Sequence, residues 1–157
     1  AALLHDIGKV NVPREILHKP GKLSPEEYET VKNHCIYGSA IVRQFYQEDD
    51  VAVLIRYHHE RWDGSGYPDG LRGTEIPLGS RIIALADAFD VMTNGRAYSR
   101  GLSRQEALHE ILVCSGTQFD PTLVPMFLRV AGYVDQTDIL SISDKSTRAR
   151  PIYEGRD

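Results

Sequence analysis

The sequence predicts an all-α fold, a bundle of about five to seven helices. Apolar residues recur with helical spacing in several segments, and helix-capping signals precede three of them. A glycine-rich loop interrupts the helices between residues 61 and 74. Beyond Tyr133 the chain turns polar, and there we expect one short strand at residues 138–143 followed by a flexible tail.

Start and stop signals define the individual helices. Ser24 with Glu27 and Ser103 with Glu106 have the spacing of capping boxes. Asp120 followed by Pro121 predicts the start of a last helix. In order, the expected helical segments are residues 1–9, a small helix or turn at 14–18, then 25–46, 50–60, 78–93, 103–115 and a helix after Asp120.

Length, charge and cysteine content restrict the class of protein. The 157 residues suffice for one globular domain, and the net charge of −4 argues against a broad basic face for a nucleic-acid polymer. No apolar run approaches the ~18 residues that span a bilayer, and the first residues lack the features of a signal peptide, so we expect a cytoplasmic protein. Cys35 and Cys114 are expected to be buried free thiols. The chain begins within an apolar helix without a methionine, as if cut from a longer protein.

Histidines and aspartates on four separate segments suggest a metal centre. A single histidine on the apolar border of a helix is more often an ordinary core residue, but a buried aspartate is costly unless it is paired or bound to a cation. Adjacent helical residues point about 100° apart, so His58 and His59 would serve two metals, bridged by a carboxylate. Nitrogen and oxygen ligands without thiolates favour Fe or Mn over a structural zinc. The candidates are His5, Asp6, His34, His58, His59 and Asp87.

Other residues have two interpretations that the sequence leaves open. Lys9 is either a solvated cation at a helix end or a ligand for a phosphate oxygen. Arg96 is either an ordinary loop charge or a contact to phosphate or guanine. The glycines between Asp63 and Gly70 either make turns or let Tyr67 approach a ligand closely.

Six segments together resemble the HD-GYP domain, a subgroup of the HD phosphohydrolases. The resemblance covers about residues 1–130 and implies a helical bundle that hydrolyses cyclic di-GMP to pGpG, or further to GMP, at a centre of two or three divalent metals, usually Fe or Mn. The matching segments are HDIGK at 5–9, KPGKLSPEE at 19–27, His34 with Gly38, HHERWDGSGYPDGLRG at 58–73, IPLGSRIIALADAFDVMT at 76–93 and FDP at 119–121.

The resemblance also implies roles for individual residues. Asp6 would bridge the metals and act with Lys9 in catalysis, while the other ligands would be His5, His34, His58, His59 and Asp87. The residues expected at the substrate are Lys9, Gly66, Tyr67, Pro68, Asp90 and Arg96. We read Glu60 and Asp63 as residues that fix the loop or the ligands.

Departures from the family pattern leave alternatives. The domain would occupy residues 1–134 without its first helices, which carry a further histidine and often a glutamate in the family, and 135–157 would be a polar extension. The segment 93–98 reads TNGRAY, without the acid and proline usual in the family. The alternatives are hydrolysis of another nucleotide, or a non-catalytic domain that senses a cyclic dinucleotide or a partner. An N-terminal sensory or receiver domain and a homodimer are also implied.

Overall fold

The computed structural model describes residues 1–45, 49–94 and 101–133, and this part of the chain is all-helical, as predicted. Seven α-helices and three short 3-10 helices form it, and these described residues contain no strand. The α-helices are α1 (Arg14–Leu17), α2 (Pro25–Lys32), α3 (His34–Phe45), α4 (Asp49–Arg56), α5 (Leu78–Asn94), α6 (Arg104–Val113) and α7 (Val124–Val130). The 3-10 helices are Ala2–Leu4, Ile7–Asn11 and Gly73–Glu75.

Both predicted capping boxes are confirmed. In each, the serine hydroxyl accepts the backbone N–H of the glutamate three residues on, and that glutamate accepts the serine N–H, at 2.6 Å in Ser24 and 2.8 Å in Ser103. Such a cap stabilises a helix by about 1 kcal/mol. The boxes therefore fix where α2 and α6 begin.

Three helix boundaries differ from the sequence prediction. The helix expected over 25–46 is divided at Asn33, and the helix expected over 50–60 ends at Arg56. In both places a histidine ring, His34 or His58, bonds a backbone carbonyl three residues earlier and competes with the helical ladder. The last helix begins at Val124 rather than directly after Asp120, which places Pro125 in its first turn, where a missing N–H costs nothing.

The chain divides into two compact units, residues 1–83 and 84–157. The first unit has a small apolar core of Val42, Ala52 and Ile55, against which residues near the N-terminus pack. There the 3-10 helix Ile7–Asn11 crosses α3 so closely that a Cβ on Gly8 would lie 1.9 Å from the carbonyl oxygen of His34. This contact requires glycine at position 8 and places His5 and Asp6 beside the start of α3.

The second unit is organised around a larger apolar cluster. Nine buried residues form it, and Phe89 and Phe127 pack edge to face beside it with ring centroids 5.7 Å apart. The nine are Leu85, Met92, Ala107, Leu108, Ile111, Cys114, Phe119, Val124 and Leu128. Asp120, buried beside this cluster, accepts hydrogen bonds from the backbone N–H and hydroxyl of Thr122 at 2.8 and 2.7 Å.

Several predictions fall outside the described residues. The strand expected at 138–143, the tail that follows and the loop with Arg96 belong to this group. The single domain over 1–134 also stays a prediction.

Cys35 and Cys114 are both buried free thiols, as expected. None of the helices in the described ranges has the length and apolar character needed to cross a membrane.

Candidate metal centre

Three of the predicted ligand histidines are held by the same local hydrogen bond. In each, ring atom Nδ1 meets the backbone carbonyl three residues earlier: His5 with Ala2 at 2.7 Å, His34 with Val31 at 2.7 Å, and His58 with Ile55 at 2.6 Å. A carbonyl only accepts hydrogen bonds, so each Nδ1 carries a proton, and in the neutral ring each Nε2 keeps its lone pair. This is the arrangement by which a protein prepares imidazoles to bind a metal through Nε2.

The Nε2 atoms of these rings lie close to one another and to Asp6. The Nε2 atoms of His34 and His58 lie 3.4 Å apart, and in the neutral rings both are acceptors. The Nε2 of His34 lies 3.5 Å from Asp6 Oδ1, and the Nε2 of His5 lies 3.6 Å from Asp6 Oδ2. Acceptors facing each other at these distances repel unless a proton or a metal cation lies between them. The electrostatics of this cluster therefore favour a bound positive ion.

Asp6 and His58 have protonation states suited to such a site. Asp6 Oδ1 is buried and accepts no hydrogen bond within the described parts of the chain. Although burial acts to raise it, the pKa of Asp6 is lowered by the hydrogen bond from Lys9 and by the charges of Lys9, His5 and His34. Burial, reinforced by neighbouring histidines, lowers the pKa of His58 to about 3, so its ring is neutral at neutral pH. A carboxylate and neutral imidazoles are metal ligands.

Two overlapping groups of side chains could hold metal ions. The ligand atoms within each group lie within 4.8 Å of one another, and His58 belongs to both. The first group is His34, Cys35, His58 and His59, and the second is His5, Asp6 and His58. The donors that the structure brings together thus fit divalent ions, which agrees with the predicted centre. The assignment of His58 and His59 to different metals stays a prediction, and the first group would instead place both at one metal.

His58 and His59 do not lie on a helix, contrary to the sequence prediction. Both follow the end of α4 and lie in a turn, so the 100° helical rotation does not apply to them. Their rings are tilted by 42° with centroids 4.0 Å apart. The ring centroids of His59 and His34 lie 5.1 Å apart. The three imidazoles therefore form one cluster.

Cys35 is a candidate ligand that sequence reasoning missed. The sequence correctly predicted that it is buried, but the metal ligands were expected to include no thiolate. Its Sγ lies 3.6 Å from His34 Nε2, and the residue has no exposed surface. Its position directly after His34 was the available signal, but spacing alone gives no side-chain direction.

Lys9 lies against the predicted bridging carboxylate. Its Nζ donates to Asp6 Oδ2 at 2.7 Å, and about two fifths of each side chain is exposed. An ammonium group has three N–H donors, and this bond uses one of them. Lys9 can therefore orient Asp6 and still donate to an oxygen of an anionic ligand.

The glycine-rich loop is fixed by the two acidic residues expected to do so. Glu60 is buried, and its Oε1 accepts the backbone N–H groups of Asp69 and Gly70 at 2.8 and 3.0 Å. Burial raises the pKa of Glu60, partly offset by those bonds. Asp63 Oδ1 accepts from the backbone N–H and hydroxyl of Ser65 at 2.9 and 2.6 Å. The loop is thus held from within.

The loop places Tyr67 beside the histidine cluster. The ring of Tyr67 lies 5.0 Å from that of His59, centroid to centroid, and 6.4 Å from that of Tyr28. The peptide between Tyr67 and Pro68 is cis. Lys32 Nζ lies 5.3 Å from the Tyr28 centroid and 5.7 Å from the Tyr67 centroid, and it pairs with Glu29 at 2.5 Å. This aromatic and cationic group, including Lys32, was not predicted from the sequence.

The remaining predicted site residues belong to the second unit. Asp87 is half-buried on α5, and Asp90 is exposed on the same helix. Asp90 Oδ1 accepts a hydrogen bond from the side chain of Asn94 at 2.8 Å. Arg96 lies outside the described residues. The roles predicted for Asp87, Asp90 and Arg96 stay predictions.

Comparisons with known proteins support the resemblance seen in the sequence. A probable cyclic di-GMP phosphodiesterase of Vibrio cholerae is 41% identical over 153 residues, which is 92% of this chain and 34% of that protein. A cyclic di-GMP phosphodiesterase of Thermotoga maritima is 45% identical over 132 residues, 83% of this chain and 36% of that protein. The chain therefore spans about a third of the length of these relatives.

A solved structure and a family model give the same classification. The crystal structure of a cyclic GMP-AMP specific phosphodiesterase of Vibrio cholerae matches with a TM-score of 0.60 at 27% identity, covering 92% of this chain and 40% of the other. The family model described as "HD domain" matches residues 1–123, most of the chain. The chain belongs to the HD domain family.

Proposed function

We propose that the chain is the catalytic part of a metal-dependent phosphodiesterase that hydrolyses cyclic di-GMP to linear pGpG. The observation that carries the proposal is the convergence of potential ligand atoms from His5, Asp6, His34 and His58 at 3.4 to 3.6 Å. The family and the named activities of two relatives supply the reaction class. We propose Fe or Mn as the metals and His5, Asp6, His34, His58, His59 and Asp87 as their ligands.

Each residue near the cluster has a task in this reaction. Divalent ions at this centre would activate water for attack on phosphorus and offset the charge of the phosphate. The backbone carbonyls of Ala2, Val31 and Ile55 hold three imidazoles with Nε2 directed inward. These rings therefore need no reorganisation when a metal ion binds. Lys9 holds Asp6 in place and donates to a phosphate oxygen of the substrate.

The loop would bind the base side of the substrate. The exposed part of the Tyr67 ring offers a flat surface on which a guanine can stack, and Lys32 adds a cation close to it. Gly66 allows the loop to pass against the backbone of Glu60 and Arg61, since a Cβ there would lie 2.3 Å from Arg61 N. We propose that Asp90 and Arg96 complete the substrate contacts, together with Pro68.

The proposal is tested by removing and restoring the metal. The chain is stripped with a chelator, and cyclic di-GMP hydrolysis is followed by chromatography before and after addition of Mn or Fe(II). We expect hydrolysis to disappear with the metal and to return with it, and to be absent in a His58→Ala variant at every metal concentration. Hydrolysis by chain that is free of metal would contradict the proposal.

A cyclic dinucleotide with one adenine is a second candidate substrate. The solved structure similar to this chain is a cyclic GMP-AMP specific phosphodiesterase. In addition, residues 93–98 depart from the family pattern in the segment that carries Arg96. Comparing the kcat/KM of cyclic di-GMP with that of cyclic GMP-AMP decides between the two. A higher value for cyclic GMP-AMP would replace the substrate while keeping the reaction.

A further inference from the structure

Cys35 places a buried sulfur atom at the edge of the histidine cluster. Its Sγ lies 3.6 Å from His34 Nε2 and 3.9 Å from His58 Nδ1, and the residue has no exposed surface. The other cysteine, Cys114, lies in the second unit with its Sγ 3.9 Å from Glu110 Oε1. Within the described residues, Cys35 is the cysteine that belongs to a group of side chains with metal-ligand spacing.

Two of the distances in this group match those of a tetrahedral site. With metal–nitrogen and metal–sulfur bonds of about 2.05 and about 2.3 Å, tetrahedral angles separate two nitrogen ligands by about 3.3 Å and a nitrogen from a sulfur by about 3.6 Å. The corresponding distances are 3.4 Å between the Nε2 atoms of His34 and His58, and 3.6 Å between His34 Nε2 and Cys35 Sγ. The sulfur therefore lies at a ligand's distance from the nitrogen.

We propose that Cys35 is a thiolate ligand of the metal held by His34, His58 and His59. This assignment deepens the proposed function, because it concerns one position of the same centre. A thiolate is a soft ligand, so this position would select zinc, cobalt or iron(II) over manganese, whereas the group of His5, Asp6 and His58, which contains a carboxylate, suits harder ions. The thiol gives up its proton to solvent as the metal binds.

Cobalt(II) reports directly on such a ligand. A thiolate bound to Co(II) produces an intense charge-transfer absorption in the near ultraviolet, while weak visible bands report total bound cobalt. We expect the charge-transfer band in the full chain and in Cys114→Ser, and its loss in Cys35→Ser with the visible bands retained. Visible bands without a charge-transfer band in the full chain would overturn the proposal.

A second measurement does not depend on whether the Cys35 variant folds. Zinc X-ray absorption of the full chain and of Cys114→Ser should show one sulfur at about 2.3 Å from the metal in both. A shell of nitrogen and oxygen alone would overturn the proposal. A sulfur ligand in a chain that hydrolyses no cyclic dinucleotide would support Cys35 as a ligand and contradict the proposed function. Hydrolysis of a cyclic dinucleotide by a chain whose metal shell contains no sulfur would support the proposed function and contradict Cys35 as a ligand.

Discussion

The two units use their buried interior differently. In the described part of the first unit eight apolar residues are buried, three of them in one cluster, and five polar residues are buried, among them His34, His58 and Glu60. In the described part of the second unit the apolar cluster comprises nine residues, and two polar residues, Glu110 and Asp120, are buried. The first unit divides its buried interior between dispersed apolar residues and polar side chains, whereas the second unit has one continuous apolar cluster.

This difference predicts separate consequences for mutations in the two units. In the first unit, a buried side chain whose partner is a cation contributes to stability only when the cation is bound. In the second unit, a buried apolar side chain contributes by its removal from water, whether or not a metal is present. Metal content and stability without metal should therefore respond to different substitutions.

The largest effect is expected from His58→Ala. His58 is 1% exposed and belongs to both groups of potential ligands, so its loss opens both metal positions. Loss of a residue that merely orients a ligand costs about 10- to 100-fold in metal affinity or activity, and loss of the ligand itself should cost at least that much. We expect no metal-dependent rise in Tm and no hydrolysis, measured by calorimetry and chromatography.

His18→Ala is the matched control. His18 is exposed, and its Nδ1 meets the carbonyl of Arg14 at 2.9 Å, so it resembles the ligand histidines only in its local hydrogen bond. This variant should keep the metal-dependent rise in Tm. An unchanged rise in Tm with His58→Ala would show that the histidine cluster is ordinary packing.

The second largest effect is expected from Leu108→Ala in the second unit. Leu108 is 1% exposed within the nine-residue cluster, so its truncation should lower the free energy of unfolding by about 2–5 kcal/mol. Metal bound per folded chain should not change. Val130→Ala, at a position 86% exposed, should change stability little. Loss of metal from folded Leu108→Ala chain would show that the two interiors are not independent.

Features of the fold that depend on residues close together in the sequence could be predicted, whereas features that depend on other contacts could not. The capping boxes at Ser24 and Ser103 follow from local spacing, and both are found. The break at Asn33 could not be predicted, because it accompanies a bond between the His34 ring and the backbone, which helical periodicity does not contain.

The candidate site shows the same limit. The types of residue predicted a metal centre, and the structure brings His5, Asp6, His34, His58 and His59 into two overlapping groups. The sulfur of Cys35 escaped prediction because one helix gives the face of a residue, whereas its neighbour His58 comes from a turn 23 residues later. Lys32 beside Tyr67 was missed for the same reason.

A smaller effect is expected from Gly66→Ala. The new Cβ would lie 2.3 to 2.6 Å from backbone atoms of His59, Glu60 and Arg61, so the loop must shift, at a cost of about 1–3 kcal/mol in folding free energy. We expect a higher KM, measured with the metal saturating. Gly79→Ala is the control, since its Cβ meets the side-chain methyls of Leu54, which can move. An equal rise in KM in both variants would contradict a role of the glycine-rich loop in substrate binding.

The smallest effect is expected from Tyr67→Phe. The ring stays beside His59 and only the hydroxyl is lost, so a hydrogen bond to substrate worth about 0.5–1.5 kcal/mol would raise KM by roughly 2- to 10-fold. Bound metal, measured by atomic emission, should be unchanged. Metal loss in this variant would place Tyr67 in the metal centre instead of at the substrate.

The central claim is that a cation lies between the facing nitrogens of the first unit. A crystal of the metal-loaded chain, with diffraction collected on both sides of the absorption edge of that metal, tests this directly. We predict an anomalous peak within bonding distance of the Nε2 atoms of both His34 and His58, with their Nδ1 atoms still on Val31 and Ile55. A map without a peak between these nitrogens would contradict the account.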